Sequence, residues 1–126
     1  MTAVTPEGWA NVGLPLNFGV SAGDYIFVSG LVATKEDGSF VTGSVEDEVN
    51  GAIDRIEEVM KAAGGSLSDV VKVTAYLSNA LLFKQFNEVY ATRFGPVMPA
   101  RATLIVGFAH PDVRVEIEAI GYLPNR

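Results

Sequence analysis

Apolar residues recur at helical spacing from Val45 through Val49, Ala52, Ile53, Ile56 and Val59 to Met60, and Glu46, Asp54, Glu57 and Lys61 fall mostly off that stripe. A 3.6-residue period of this kind predicts an amphipathic helix. Ser44 stands where an N-cap belongs, Asp47 is three residues on at the capping-box position, and Gly64-Gly65 ends the run. A second stripe of Leu82, Phe83, Phe86, Val89, Tyr90 and Phe94, with Asn87 beside it, predicts a helix over residues 80–94. Ser78-Asn79 caps that helix and Gly95-Pro96 stops it. Between the two helices, Val70–Leu77 alternates as a half-buried strand does. Val71, Val73, Ala75 and Leu77 are expected on one face, and Lys72, Thr74 and Tyr76 on the other.

Further strands are expected at Leu16–Val20, at Tyr25–Ser29 closed by Gly30, at Ala102–Phe108 and at Val113–Tyr122. Turns are read at Ala22-Gly23-Asp24, at 35–39 around Asp37-Gly38, at 66–69 and at 109–112. Residues 1–14, broken by Pro6, Gly8 and Gly13, show little pattern and are expected to be only partly ordered. The order is β-β-(β)-α-β-α-β-β in one domain spanning residues 1–126. Two helices suffice to cover one face of such a sheet. The other face is left with Tyr25, Phe27, Ile105 or their neighbours, and self-association is the expected cover.

Composition supports that expectation. Hydrophobic residues make up 48% of 126 residues, a high share for a domain with so much surface to cover. The net charge of −6 and the lack of a basic cluster count against nucleic acid as a partner, because phosphate binding needs clustered Lys and Arg. No apolar run approaches membrane-span length and no secretory signal opens the chain, so neither a membrane partner nor export is expected and the cytoplasm is the default location. With no cysteine and one histidine, neither a metal site nor a disulfide is expected. His110 reads as a surface loop residue and Glu57-Glu58 as a solvated helix face.

Candidate chemistry narrows to Pro99-Ala100-Arg101-Ala102-Thr103 and Val113-Arg114-Val115-Glu116-Ile117-Glu118-Ala119. Arg101 follows the apolar, backbone-restricted Met98-Pro99-Ala100, a setting that preorganises a guanidinium for bidentate carboxylate binding. Glu116 and Glu118 share a strand face with Arg114 by their spacing of two. Taken on residues alone, Arg101 and Glu116 are a candidate anion-binding arginine with an acid partner, or two members of ordinary ion pairs.

These two segments resemble the C-terminal signature of the RidA/YjgF family. Residues 19–30 are similar to the family's first strands, residues 62–72 to its helix-to-strand turn, and Phe86-Asn87-Glu88-Val89-Tyr90 to its second helix. The resemblance covers nearly all of residues 15–121. It implies an α+β fold of the chorismate-mutase-like (bacillus) type, a mixed sheet covered by two helices on one face. It also implies a homotrimer with a central barrel and clefts between subunits. The implied activity is hydrolytic deamination of reactive 2-imino and enamine acids to 2-keto acids and ammonia, as in a 2-iminobutanoate/2-iminopropanoate deaminase, with no cofactor. Arg101 would bind the carboxylate of a small-molecule substrate and Glu116 would orient water. Gly30 and Thr103 would line the cleft, with Leu16, Phe18, Leu31 and Asn87 as further substrate-binding candidates.

Many members of the family carry tyrosine at the Leu16 position, glutamine at the Leu31 position and cysteine at the Thr103 position, so the chain is similar to a divergent member lacking the usual cleft tyrosine. A more apolar or larger substrate than aminoacrylate follows as an expectation. The alternatives are a pathway-specific deaminase of aminomuconate or aminoacrylate type and a non-catalytic trimer that binds a small acid.

Overall fold

A computed structural model describes residues 1–9 and 13–124. Six strands, β1 (Thr2–Val4), β2 (Gly19–Ala22), β3 (Tyr25–Leu31), β4 (Val70–Leu77), β5 (Ala100–Ile105) and β6 (Val115–Tyr122), form one sheet in the order β1-β2-β3-β6-β4-β5. All neighbours are antiparallel except β4 and β5. Helix α1 (Val45–Ala62) leads from β3 to β4, and α2 (Phe83–Tyr90) leads from β4 to β5. Both connections join parallel strands and advance across the sheet in the same direction, so right-handed crossovers place both helices on the same face. The expected mixed sheet with two helices on one face is what is found.

The α1 stripe is the centre of the core. Val49, Ala52, Ile53, Ile56, Val59 and Met60 have no exposed surface, and Ser44 Oγ caps the helix by accepting from Asp47 N at 3.0 Å. Facing them, Ile26, Val28, Val73, Ala75, Leu77, Val115, Ile117 and Ala119 fill the covered side of the sheet. The uncovered side carries Tyr25, Phe27, Tyr122 and Leu104, each between 39% and 46% exposed, with Tyr25 stacked near Phe27 and Tyr122.

The first residues are built into the sheet as β1, with Val4 packed in the core; residues 10–12, also within the segment expected to be partly ordered, lie outside the described residues. Several other expectations are corrected. The strand expected at Leu16–Val20 begins at Gly19 and ends at Ala22, and β3 runs two residues past Ser29. Between Val28 and Leu31 the register with β6 slips by one residue. That bulge lets two residues three apart point the same way, so Leu31 turns into the core. A second slip between Val70 and Lys72 buries Val70 and leaves Val71 45% exposed, the reverse of strict alternation. The helix expected over 80–94 is a 3-10 turn at Ala80–Leu82 followed by α2 alone. Phe83, expected in the buried stripe, is 45% exposed. The last two strands are shorter than expected, β5 ending at Ile105 and β6 starting at Val115.

Candidate functional site

Arg101 sits on β5, an edge strand, and pairs across to Val73 of β4. Paired residues share a face, so its side chain leaves on the side covered by the helices. Phe83, Phe86, Asn87 and Tyr90 occupy positions i, i+3, i+4 and i+7 of α2, one face of one helix. All four meet Arg101. Its guanidinium carbon lies 4.8 Å from the Tyr90 ring centroid, 5.4 Å from Phe86 and 5.9 Å from Phe83, distances at which a cation is held by ring faces. Its Nη2 donates to Asn87 Oδ1 at 2.7 Å. Among the described residues no carboxylate pairs with it, whereas Arg93 pairs with Asp54 and Arg114 with Glu48. Of the ordinary ion pair and the oriented cation, the surroundings favour the second: a guanidinium fixed by rings and an amide, with most of its five donors left for a ligand.

Glu116 lies on the other side of the sheet. It pairs with Tyr76 of β4, three residues from Val73 and so of opposite parity. Within one chain, therefore, Arg101 and Glu116 are not brought together. A Cβ added at Gly30 would fall 2.6 Å from Glu116 Oε2, so glycine at position 30 is what gives that carboxylate its room. Glu118, two residues on, accepts a hydrogen bond from the Tyr76 hydroxyl. Burial first, and the charge of Glu118 second, push the Glu116 carboxyl above its ordinary 4.5. Among the described residues Glu116 has no basic partner, and Arg114 does not share its face. Arg114 precedes the strand and turns to Glu48 of α1 and to the Gly43 carbonyl.

The remaining candidates separate. Thr103 is two residues beyond Arg101 on the same face, with its Oγ1 buried and unpartnered. Leu31 is 4% exposed in the core beside Ile117 rather than at a cleft rim. Phe18 stacks edge-on against Trp9 and lines a different groove of about 770 Å3 with Arg55, Asp54 and Gly51. Leu16 is 42% exposed in the loop before β2. His110 is on a surface loop against Phe40. No described cluster of His, Asp or Glu could hold a metal, and no described helix is long and apolar enough to cross a membrane.

The family model described as Endoribonuclease L-PSP matches residues 13–123. A RutC family protein of Pyrococcus horikoshii is 38% identical over 109 residues, covering 86% of each chain. A 2-iminobutanoate/2-iminopropanoate deaminase of Dermatophagoides farinae is 34% identical over 107 residues, covering 84% of each. The crystal structure of RidA from the Antarctic bacterium Psychrobacter sp. superposes with a TM-score of 0.88 at 25% identity, covering 98% of this chain and 100% of that one. The chain belongs to the RidA/YjgF family. Sequence reading of this RidA/YjgF chain placed Phe86 and Tyr90 in a core stripe and did not assign them to Arg101. The available signal was Asn87, a polar residue at i+4 on a stripe of aromatics, pointing where only a polar neighbour would suit it.

Proposed function

We propose that the protein hydrolyses reactive 2-imino and enamine acids to 2-keto acids and ammonia, in clefts formed between copies of the chain. The observation that carries this reading is Arg101, held by Asn87 and three rings and paired with no carboxylate. The deaminase name of the relative from Dermatophagoides farinae supports it. The guanidinium fixes the substrate carboxylate, which places the adjacent imine carbon in one orientation. A protonated imine is already electrophilic, so what remains is to deliver water. Glu116 takes a proton from that water as its oxygen bonds to the imine carbon. The same proton then goes to the nitrogen of the tetrahedral adduct, which leaves as ammonia while the Glu116 carboxylate takes the remaining hydroxyl proton and the carbonyl forms. Glu116 suits this role better than Glu118, whose carboxylate already accepts from Tyr76.

Because Arg101 and Glu116 stand on opposite faces of one sheet, they serve one substrate only if different copies supply them. The exposed aromatic side of the sheet and the edge strand β5, with Leu104 and Ile105 uncovered, provide the surface for such an assembly. A homotrimer is the assembly that fits the family. The test is subunit mixing. Homogeneous Arg101→Ala and Glu116→Ala proteins are expected to be inactive, and co-assembled in equal amounts they should regain activity in about a quarter of the clefts by random pairing. Imino acid is generated in situ by an amino-acid oxidase and its persistence is read by semicarbazide trapping. No recovery on mixing would defeat the shared cleft, and unchanged trapping by the wild-type protein would defeat the deaminase.

The pH dependence has a defined sign. Glu116 acts as its carboxylate, and its pKa is raised, so activity should fall on acidification at a pH above the ordinary carboxylate value of 4.5. A rate profile whose acid limb lies at or below that value would assign the base elsewhere. An endoribonuclease reading, which the family description names, gains no support from one isolated arginine in a chain of net charge −6.

A further inference from the structure

Four residues form a square on the side of the sheet that carries no helix: Glu116 and Glu118 on β6, with Tyr76 and Thr74 opposite them on β4. The two glutamates are about 7 Å apart along the strand, close enough for each carboxylate to feel the other's charge. Tyr76 stands straight across from Glu116, yet its hydroxyl reaches along the diagonal and donates to Glu118 Oε1, a span that an aromatic side chain covers. The Glu116 carboxylate lies the other way, over Gly30 of β3, where a Cβ would fall 2.6 Å from Oε2. One acid of the pair is tied and the other is loose.

A donated hydrogen bond favours the charged form of a carboxylate, and a neighbouring negative charge disfavours it. A proton arriving at the pair therefore goes to the loose member. The phenol does not give up its own proton instead: the bond to Glu118, burial and the charges of Glu118 and Glu116 all raise it above its ordinary 10.0. Among the described residues the rest of this face offers no closer charge. Lys72 of β4 is opposite Ile120, four residues along from Tyr76, and Leu104 of β5 is opposite Tyr76. Strand β3 brings Gly30 and Phe27, with Tyr25 and Tyr122 paired at the far end, and Arg114 is turned to Glu48.

We propose that Tyr76, by donating to Glu118, divides the two carboxylates of β6 into a fixed charge at Glu118 and a proton carrier at Glu116. This rests on the reading of Glu116 as the group that takes a proton from the attacking water, and it adds two residues to that reading. The charge held at Glu118 keeps Glu116 avid for the proton, and the Tyr76 hydroxyl keeps Glu118 from taking it. Tyr76 acts only through Glu118 in this arrangement, so it is a positioning residue.

The experiment is the pH profile of imino-acid hydrolysis for the wild-type protein, Tyr76→Phe, Glu118→Gln and the double variant Tyr76→Phe/Glu118→Gln. A carbon-13 titration of the glutamate carboxyls accompanies it, assigned with Glu116→Gln and Glu118→Gln. In the wild-type protein Glu116 is expected to take the first proton on acidification and Glu118 the second. Glu118→Gln should move the acid limb to lower pH, because the neighbouring charge is gone, and lower the plateau rate about threefold as the base weakens. Tyr76→Phe should leave the plateau within about twofold of wild type. Its acid limb should move partway in the same direction and become shallower, since two carboxylates then share the first proton. In the double variant, Tyr76→Phe should add nothing to the effect of Glu118→Gln. A Tyr76→Phe shift of the same size with and without Glu118 would overturn the proposal, as would carboxyls that titrate in the same order and at the same pH in Tyr76→Phe as in wild type. If Glu116→Gln hydrolyses imino acids at the wild-type rate, or the wild-type protein hydrolyses none, the base reading falls and the proton carrier with it. An acid limb unchanged in Tyr76→Phe while Glu116→Gln is inactive overturns this proposal alone.

Discussion

Arg101→Ala is expected to lower the rate of imino-acid hydrolysis by about two to three orders of magnitude while the fold and assembly survive. The loss has two sources. Charge-assisted, two-pronged contact with the substrate carboxylate disappears, and with it the orientation that sets the imine carbon against the attacking water. The fold is expected to be little affected because Arg101 lies on an edge strand, partly exposed, beside Phe86 and Tyr90, which belong to the buried core cluster without it. Asn87 Oδ1 loses its partner at a position open enough for water to replace it. Arg101→Lys separates charge from shape. A lysine keeps the positive charge but lacks the planar fork that spans Asn87 and a ligand together, so it should recover only a small part of the rate. The measurement is semicarbazide trapping across imino acids of increasing side-chain size, with sedimentation to show that assembly is intact. An Arg101→Ala protein retaining more than about a tenth of wild-type activity would remove Arg101 from the chemistry.

The physical reach of the sequence is clear from particular residues. Helix α1 was legible because a single periodic stripe decided everything: each apolar position from Val45 to Met60 is buried. Strand β1 was not, since three residues are too few to show an alternation. Val71 was expected on the core face and is 45% exposed, because it sits next to a bulge, and one extra residue in a strand reverses the face of everything beyond it. Arg101 and Glu116 were each identified, but not the fact that they stand on opposite sides of the sheet. Spacing along the chain carries no parity between two strands. That parity depends on how both align with β4, through Val73 opposite Arg101 and Tyr76 opposite Glu116. In the sequence the aromatic stripe on α2 reads as core packing, because a ring that supports a guanidinium and a ring that packs on a leucine have the same helical spacing.

Glu48 was given no role by the sequence, where it reads as one more acid in the first turn of α1, yet it should be among the most costly residues to change. Among the described residues it is the one charged side chain that the fold buries, at 3% exposure. Its two oxygens receive the Arg114 guanidinium and, at 3.1 Å, the Arg114 backbone N–H. Arg114 also donates to the Gly43 carbonyl at 3.0 Å and accepts from Ser78 N at 2.9 Å. One carboxylate thus ties the start of α1 to the turn that enters β6, two residues before Glu116, and to the end of β4. Removing one member of a buried pair leaves the other desolvated and unpaired, at a cost of about 3 to 5 kcal/mol. The two members should not be equivalent. The Arg114 side chain is 34% exposed and that of Glu48 is 4% exposed, so an orphaned arginine can swing into water and an orphaned glutamate cannot. Glu48→Leu is therefore expected near the lower figure, a fall in melting temperature of about 10 °C for a domain of this size, and Arg114→Met nearer the upper one. The double variant Glu48→Leu/Arg114→Met should regain much of the lost stability, because it buries no unpaired charge. Additive losses in the double variant, measured by thermal and urea unfolding, would mean that the ion pair is not what holds α1 against the β6 turn.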